Sequence, residues 1–297
     1  MLFSKLNGPE KRAKLRDLLK QKTIIRAPGA FSPLVAMEIE RTGFEAVYVS
    51  GAVLSADLGL PDIGLTTLTE VADRAEQIAR VTDLPTIVDC DTGFGEPMSV
   101  ARTVRMMEDR GIAGFHLEDQ VNPKRCGHLD GKTVVSTEDM VRRIKAAADA
   151  RRDPNMVIIA RSDARMIEGL DAMIARANAY AEAGADMIFT EALLTAEDWR
   201  KASAEIAAPL LANMTEFGKS DLLSAGELQD LGASMVIYPV TSLRIAMKAV
   251  SDALGDIEAS GTQREIIGKM QTRQELYDLL QYERYNTFDQ GLFNFKL

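Results

Sequence analysis

Residues 85–118 read PTIVDCDTGFGEPMSVARTVRMMEDRGIAGFHLE, and they contain the pattern on which the fold prediction rests. A short apolar run, Pro85–Asp89, predicts a strand that is covered on both faces. The apolar side chains of Met98–Arg110 then recur with helical period, and Gly111 is the residue type that ends such a helix. A second apolar run, Gly114–Glu118, follows. A strand, a helix and a strand in this order predict a parallel β-α-β unit.

The same pattern recurs along the whole chain. Eight short apolar runs are predicted as strands: Thr23–Ala27, Ala46–Ser50, Pro85–Asp89, Gly114–Glu118, Met156–Arg161, Met187–Glu191, Pro209–Asn213 and Met235–Pro239. Glycines end the helices before the even-numbered strands: Gly43, Gly111, Gly184 and Gly232. Prolines precede three of the odd-numbered strands: Pro85, Pro154 and Pro209. Eight strands that alternate with helices predict an α/β protein with a (β/α)8 TIM-type barrel, and an open doubly wound sheet is the alternative.

Composition excludes several classes of protein. The chain has 297 residues, and 44 acidic against 35 basic residues give a net charge of −9, which disfavours a nucleic-acid binder. Its apolar runs are shorter than the roughly 18–20 residues of a membrane helix, and the charged segment Met1–Lys20 holds no signal segment. Two cysteines, Cys90 and Cys126, make neither a disulfide framework nor a zinc finger. We therefore expect a cytoplasmic protein without nucleic-acid or membrane partners.

The C-terminal region is longer than a barrel needs. The last predicted strand ends near Val240, and one further helix is enough to close the barrel. We expect a single domain, with the barrel over about residues 20–255 and a helical extension over about 256–297. Aromatic residues cluster late in the chain: Tyr277, Tyr282, Tyr285, Phe288, Phe293 and Phe295. Such a tail suits a contact between subunits, and a tail folded back on its own barrel is an equal alternative.

Acidic residues stand where functional groups of a barrel are expected, at the carboxyl ends of strands. Asp89 and Asp91 end the third strand with strand spacing, so both side chains point to the same side. Two such carboxylates repel each other unless a cation lies between them, and Mg²⁺ is the hard cation that suits them. Glu118 and Asp119 at the end of the fourth strand add further acidic groups. The alternative is a set of exposed turn carboxylates.

A polar loop, Asn122–Lys132, follows the fourth strand. It places Cys126 among Lys124, Arg125 and His128, and positive surroundings lower the pKa of a thiol and make it reactive. The length of the loop and its glycines suit a mobile lid. An incidental cysteine in a basic surface loop is the alternative.

Arginines complete the predicted site. Arg161 ends the fifth strand and needs an anionic partner inside a barrel mouth, which either a carboxylate substrate or Glu191 would supply. Arg244 follows the eighth strand, and Arg273 lies in the C-terminal helices. Acids for a metal together with arginines for carboxylates predict a small polycarboxylate ligand.

The stretch Lys124–His128, KRCGH, resembles the signature of the isocitrate lyase / phosphoenolpyruvate mutase superfamily, and the resemblance runs from about residue 5 to 290. Within the superfamily, the strand end Val88–Asp91 and the loop Leu58–Asp62 are similar to the branch that cleaves 2-methylisocitrate. Isocitrate lyases proper carry large insertions for which this chain has no room, and mutases and phosphonopyruvate hydrolases lack the Cys-Gly-His motif. Two departures are Cys90, where we expect a small residue, and a loop after the second strand with fewer glycines than in some relatives.

The resemblance implies roles for individual residues. It implies a Mg²⁺ site, with Mn²⁺ as the possible substitute, formed by four acids: Asp89, Asp91, Asp62 and Glu118, of which the last two hold waters of the ion. It implies a substrate-binding set: Ser50, Gly51, Ala52, Gly127, Arg161, Glu191, Asn213, Met214, Thr215, Arg244 and Arg273. The implied catalytic set consists of Cys126 as general acid, Tyr48 as a candidate base, Arg161 and His128.

The implied activity is the Mg²⁺-dependent cleavage of the tricarboxylate 2-methylisocitrate to pyruvate and succinate, a step of the methylcitrate cycle of propionate catabolism. The C-terminal helix is then expected to pack on a neighbouring subunit, with a helix swap in a homotetramer. Two alternatives stay open. The substrate is a related 2-hydroxy acid, dimethylmalate or isocitrate, because one methyl group is worth only about 1–3 kcal/mol of discrimination. The other is a barrel that binds metabolites without catalysis.

Overall fold

The computed structural model of the chain describes residues 4–125 and 131–293. The chain divides into two compact units, Met1–Ser242 and Leu243–Leu297. The first unit contains the strands, and the second consists of helices. The sequence predicted a boundary between the barrel and the helical extension at about residue 255, and this boundary stays a prediction.

Eight strands form one parallel sheet in the described part of the first unit: β1 (Ile25–Pro28), β2 (Val47–Val49), β3 (Thr86–Asp89), β4 (Gly114–Glu118), β5 (Val157–Ser162), β6 (Met187–Thr190), β7 (Leu210–Asn213) and β8 (Ala233–Tyr238). Their hydrogen-bonded order is β1-β8-β7-β6-β5-β4-β3-β2. The two ends of this order meet, because Gly29 forms a parallel bridge with Tyr48 and the Ala30 N–H donates to the Tyr48 carbonyl at 2.9 Å. The sheet is therefore a nearly closed barrel, and the predicted (β/α)8 TIM-type fold is confirmed.

Ten helices of the described first unit surround or precede these strands: α1 (Gly8–Leu19), α2 (Pro33–Thr42), α3 (Gly51–Asp57), α4 (Leu68–Ala79), α5 (Pro97–Asp109), α6 (Thr137–Ala150), α7 (Arg165–Glu168), α8 (Leu170–Glu182), α9 (Ala196–Glu205) and α10 (Ala225–Asp230). The glycines that the sequence placed before the even-numbered strands have φ angles of 90° (Gly43), 75° (Gly111), 114° (Gly184) and 95° (Gly232). Only glycine adopts these angles without strain, which is why each helix ends there.

The core has two layers that alternate along each strand. Side chains such as Ile87, Ile159 and Ile237 point inward and fill the barrel. Their neighbours, such as Val88 and Ile158, point outward and pack under the helices. The period of two therefore decides which polar side chains at the strand ends turn toward the barrel axis.

Helix α1 is an element that the sequence did not predict. It begins at a capping box, in which the Asn7 side chain accepts from the Glu10 N–H at 3.0 Å and Glu10 accepts from the Asn7 N–H at 2.7 Å. Leu15 of α1 is fully buried and belongs to the inward cluster of the barrel. The charged segment before β1 thus contributes an apolar side chain to the barrel interior.

The second unit continues α11 (Thr241–Ser260) and adds a 3₁₀ turn (Arg264–Lys269), α12 (Arg273–Leu279) and α13 (Tyr282–Phe293). The rings of Tyr277 and Tyr282 stack with their centroids 4.7 Å apart. Several apolar side chains of α11 are exposed, including Ile245 at 70% and Leu254 at 61%. The predicted helix swap between subunits stays a prediction.

Among the helices of the described residues, none combines the length and the apolar character that crossing a membrane requires.

Candidate active site

A cavity of about 50 Å³ lies at the carboxyl ends of the strands in the first unit. The cavity is lined by most of the described residues that the sequence analysis assigned to the site: Tyr48, Ser50, Ala52, Asp62, Asp89, Arg161, Glu191, Asn213 and Thr215. Basic and apolar neighbours complete the lining: Lys124, Arg125, Phe189, Ile237, Pro239 and Val240. Strand alternation explains the grouping, because Asp89 and Arg161 stand two residues after the inward-facing Ile87 and Ile159. The prediction that polar residues converge at this end of the barrel agrees with the structure.

Asp89 and Asp91 lie side by side, and the backbone around them is built for close approach. Asp89 accepts hydrogen bonds from the N–H of Gly51 at 3.1 Å and of Asp91 at 3.0 Å. A Cβ on Gly51 would lie 2.9 Å from Asp89 Oδ2 and 3.2 Å from Asp91 Oδ1. Asp91 itself has φ 46°, which turns its side chain back toward Asp89. Glycine at 51 therefore keeps the space in front of both carboxylates open.

The two carboxylates have pKa values that move apart. Burial raises the pKa of Asp91 to about 6, and the neighbouring Asp89 adds to the shift. Burial also opposes ionisation of Asp89, but the charge interactions with His116, then Lys124 and Arg161, outweigh it and lower the pKa of Asp89 to about 2. Ionising both of two buried carboxylates this close together is unfavourable, so a nearby positive charge stabilises the ionised pair.

Lys124 supplies a positive charge to this pair. Its ammonium contacts Asp62 and lies 2.7 Å from Asp91 Oδ1, while the lysine side chain is only 4% exposed. Burial alone would lower the pKa of Lys124, but Glu118, Asp91 and the other acids raise it far above its ordinary value. Lys124 therefore stays charged and draws Asp62 and Asp91 together across 29 residues of sequence.

Glu118 is a fully buried acid of the site. Both of its carboxylate oxygens are buried without a hydrogen bond, and the nearest ion pair is Arg161 Nη1 at 3.4 Å. Burial raises the pKa of Glu118 well above its ordinary value. Buried oxygens without partners are expensive unless water or a cation satisfies them.

The donor set fits a hard divalent cation held partly through water. Mg²⁺ takes one or two carboxylates directly and keeps several waters, and the adjacent Asp89 and Asp91 with the unsatisfied Glu118 offer that arrangement. In residues 4–125 and 131–293, no group of three or more acidic, histidine or cysteine side chains is gathered closely enough to hold a metal by itself. A cation beside Asp91 would also compete with Lys124 for that carboxylate.

Tyr48 forms a buried pair with His116, which the sequence did not predict. The Tyr48 hydroxyl and His116 Nε2 are 2.7 Å apart, and Asp89 Oδ1 lies 3.6 Å from the same nitrogen. Burial lowers the pKa of His116 to about 4, so the ring is neutral at pH 7 and Nε2 can accept from the phenol. Burial raises the pKa of Tyr48 well above its ordinary value, with Asp89 adding to the shift. Tyr48 is therefore a protonated phenol in this structure.

Arg161 is surrounded by carboxylates. Asp163 binds it through two hydrogen bonds, at 2.9 Å to Nε and 3.1 Å to Nη2. Glu118 and Glu191 lie farther away, at 3.4 Å and 3.5 Å. The Phe189 ring lies under the guanidinium, 4.9 Å from its carbon. The predicted partner Glu191 is present, but the closest partner is Asp163, which the sequence analysis missed.

The remaining predicted residues divide between the cavity and its surroundings. Ser50 caps α3, and Asn213 Nδ2 donates to Glu191 Oε2 at 3.3 Å, so both sit among the lining residues. Thr215 lines the cavity as predicted. Met214 turns away from it, because its sulfur accepts from the Leu223 N–H at 3.3 Å and the residue is buried.

The structure does not place five predicted site residues relative to this cavity. Cys126, Gly127 and His128 lie outside the described residues. Arg244 belongs to α11 and Arg273 begins α12, both in the second unit. Their roles stay predictions.

The missed residues carried a usable signal. Asp163 stands two residues after Arg161, and His116 two residues before Glu118. A period of two puts each on the same side of the chain as the residue already singled out. Lys124 was noted for its charge, but its contact with Asp62 joins two loops, and no local pattern predicts it.

Comparison with known proteins agrees with this geometry. Residues 15–258 match the family model described as phosphoenolpyruvate phosphomutase. The chain is 63% identical over 295 residues to a Corynebacterium glutamicum protein described as probable 2-methylisocitrate lyase 2, covering 99% of this chain and 96% of that protein.

Solved structures extend the likeness to neighbouring activities. A crystal structure of 2,3-dimethylmalate lyase, described as a member of the PEP mutase/isocitrate lyase superfamily, matches with a TM-score of 0.89 at 34% identity, covering 97% of this chain and 96% of the other. A crystal structure of phosphonopyruvate hydrolase with oxalate and Mg²⁺ matches with a TM-score of 0.85 at 29% identity, covering 93% of this chain and 97% of the other.

Proposed function

The chain belongs to the phosphoenolpyruvate mutase / isocitrate lyase superfamily, and from that premise we propose that it is a carbon–carbon lyase that cleaves 2-methylisocitrate to pyruvate and succinate. The observation that carries the proposal is one cavity lined by Asp89, Lys124 and Arg161, with Asp91 bound to Lys124 at 2.7 Å beside it. The full-length identity of 63% to a protein described as a 2-methylisocitrate lyase supports the choice of substrate.

We propose Mg²⁺ as the cofactor, with Mn²⁺ as a possible substitute. Asp89 and Asp91 would hold the ion, and Asp62 and Glu118 would hold its waters. When bound, the ion polarises the hydroxyl and the adjacent carboxylate of the substrate. The Mg²⁺ in the structurally similar phosphonopyruvate hydrolase supports this cofactor.

The chain's own residues would then remove one proton from the substrate hydroxyl and add one proton to the succinate fragment. Tyr48 is the candidate base: its oxygen accepts the substrate hydroxyl proton while its own proton passes to His116 Nε2, 2.7 Å away. The carbon–carbon bond breaks, its electron pair moves to the succinate fragment, and the hydroxyl carbon becomes the carbonyl of pyruvate. Arg161 stabilises the enediolate that forms. Cys126 protonates the carbon of the enediolate, and His128 belongs to the same proposed catalytic set.

Substrate recognition falls to the other lining residues. Ser50, Gly51 and Ala52 form a small-residue segment that admits a ligand to the backbone, and Asn213 and Thr215 offer uncharged polar groups. Gly127, Glu191, Arg244 and Arg273 complete the substrate set in the proposal, and Met214 is left out because its sulfur accepts from the Leu223 N–H and the residue does not line the cavity. We also propose a cytoplasmic homotetramer with helices exchanged between subunits, which the exposed apolar side chains of α11 support.

The test is an assay of oxo-acid release, pyruvate from 2-methylisocitrate and from 2,3-dimethylmalate and glyoxylate from isocitrate, each with Mg²⁺ and with EDTA. We expect turnover of 2-methylisocitrate with a kcat/KM at least tenfold above the other two, and its loss on chelation. A preference for 2,3-dimethylmalate would replace the substrate but keep the reaction class. Binding of all three without release of pyruvate or glyoxylate would favour a metabolite-binding barrel and overturn the proposal.

The assigned acid has its own test. Cys126→Ser should remove turnover and leave the circular dichroism spectrum and pyruvate binding unchanged. A rate near that of the unmodified chain would exclude Cys126 as the proton donor.

A further inference from the structure

We propose that Asp163, together with Lys132, is a positioning residue for the cleavage reaction, because it fixes the guanidinium of Arg161 in the orientation that receives the substrate. The inference rests on the proposed function, in which Arg161 binds a substrate carboxylate. Neither Asp163 nor Lys132 lines the cavity, so both act through Arg161.

Asp163 binds one edge of the Arg161 guanidinium and leaves Nη1 available for a substrate carboxylate. Its two carboxylate oxygens accept from Nε at 2.9 Å and from Nη2 at 3.1 Å, a bidentate arrangement that fixes a guanidinium in angle as well as in place. Nη1 is left with Glu118 at 3.4 Å, too far for a strong hydrogen bond. The Phe189 ring fixes the plane from below.

Asp163 is itself held from two directions. Its backbone N–H donates to Asp119 Oδ1 at 2.9 Å, and Asp119 in turn accepts from the hydroxyls of Ser162 at 2.7 Å and Tyr180 at 2.9 Å. Its side chain accepts from Lys132 Nζ at 3.0 Å. The side chains of Asp163 and Lys132 are 0% and 3% exposed, so neither contact is diluted by solvent.

Lys132 also balances the negative charge of Asp163. Three carboxylates face Arg161: Asp163, Glu118 and Glu191. If Arg161 alone neutralised Asp163, less of its charge would remain for an incoming carboxylate. Lys132 supplies a second positive charge behind Asp163, and burial makes such a charge necessary as well as effective. Arg161 is then oriented by Asp163 without being neutralised by it.

The experiment compares substitutions in the intact chain. Asp163→Asn is isosteric but loses the charge and one of the two acceptor oxygens, so we expect KM to rise about tenfold and kcat/KM to fall about a hundredfold, since small displacements of a binding group have effects of that size. Lys132→Met should likewise raise KM and lower kcat/KM, each by about tenfold. Lys132→Arg should restore most of the lost kcat/KM. Lys201→Met is the matched control, because it breaks an exposed ion pair with Asp171 and should change neither constant.

A second readout does not depend on the substrate. Calorimetric binding of oxalate, a small dicarboxylate, in the presence of Mg²⁺ should weaken at least tenfold in Asp163→Asn and Lys132→Met and stay unchanged in Lys201→Met. If the unmodified chain releases no pyruvate, the proposed lyase function fails while this arm still decides the role of Asp163. Folded variants with lower melting temperatures but unchanged KM, kcat and oxalate affinity would make the pair merely structural and overturn the inference.

Discussion

Gly51 matters through the side chain that it lacks. An added Cβ would lie 2.9 Å from Asp89 Oδ2, closer than side chains approach, and 3.2 Å from Asp91 Oδ1. We predict that Gly51→Ala pushes the carboxylates apart and lowers kcat/KM about a hundredfold, with a higher Mg²⁺ concentration needed for half-maximal rate. Pyruvate release measured over a Mg²⁺ titration tests this.

Gly226→Ala serves as the control for this substitution, because its Cβ would have only the Ser224 hydroxyl at 4.0 Å as a neighbour in α10. Its rate and Mg²⁺ dependence should equal those of the unmodified chain. Equal behaviour of the two alanine variants would contradict the role assigned to Gly51.

The two cysteines should differ in reactivity. Cys90 is fully buried, and burial raises its pKa well above its ordinary value, with Asp89 and Asp91 adding to the shift. The sequence places Cys126 among Lys124, Arg125 and His128, which favours the thiolate. We predict that a thiol reagent labels one cysteine rapidly in the native chain and the second only on unfolding. Mass spectrometry of the labelled chain would identify them, and rapid labelling of Cys126→Ser would contradict the assignment.

At this scale the sequence predicted what strand period and strand ends determine. Asp89, Asp91 and Arg161 were found because each stands at the end of an apolar run. The contact of Lys124 with Asp62 was not found, because it depends on how two loops meet in space. Asp163 was not predicted, because it lies one residue beyond the end of β5, although its spacing of two from Arg161 makes it the next inward-facing position.

Among the elements, strands were easier to predict than the first helix. A buried parallel strand is apolar on both faces, so its own residues reveal it. Half of the residues of α1 are charged, and its contribution to the barrel core is the fully buried Leu15 with the partly buried Leu18 and Leu19 beside it. That role becomes visible only after the barrel closes around it.

The segment before α1 is tied to the barrel by one carboxylate. Asp83 accepts hydrogen bonds from Ser4 Oγ at 3.0 Å and from the N–H groups of Lys5 at 2.8 Å and Leu6 at 2.9 Å. Burial opposes its ionisation, but these bonds outweigh burial and lower the pKa of Asp83 below its ordinary 3.8. A lowered folded-state pKa means that the stabilisation is complete above the unfolded value and is lost as the pH falls through the folded value.

We therefore predict that Asp83→Ala lowers the free energy of unfolding by about 1–2 kcal/mol at pH 6 and by clearly less at pH 3. Urea unfolding at both pH values measures the difference. Asp17→Ala is the control, because Asp17 is 70% exposed in its pair with Lys20 and should cost less than 0.5 kcal/mol. A penalty for Asp83→Ala that does not shrink in acid would contradict the ionic origin.

At the scale of the whole molecule, net charge and local charge point in opposite directions. The chain carries −9, yet Lys124, Arg125 and Arg161 line one cavity. The composition predicted the exclusion of nucleic acid, but it said nothing about where the cationic residues gather, because the fold brings Lys124 and Arg125 of one loop together with Arg161 of β5.

The exposed apolar side chains of α11 lead to a prediction about assembly. Ile245, Met247 and Leu254 are 70%, 55% and 61% exposed, and large apolar side chains in such numbers usually mark contacts. We predict that light scattering after size exclusion gives four times the chain mass of 32.5 kDa. Ile245→Lys with Leu254→Lys should lower that mass, while Leu222→Lys, also at an exposed apolar position, should not. A monomer for the unmodified chain would refute the proposed tetramer.

The pairing of β1 with β8 determines when the barrel can close while the chain is being synthesised. Ile25 of β1 pairs with Met235 of β8, so the first strand of the barrel forms this pairing only after the last strand has been made. While the ribosome makes the chain, β1 leaves the exit tunnel early and keeps one edge without its partner until residue 238 has emerged. During that interval the nascent chain exposes an unpaired edge, and contacts of such long sequence separation form slowly. Chaperone capture should accordingly persist until β8 emerges and decline once it has docked.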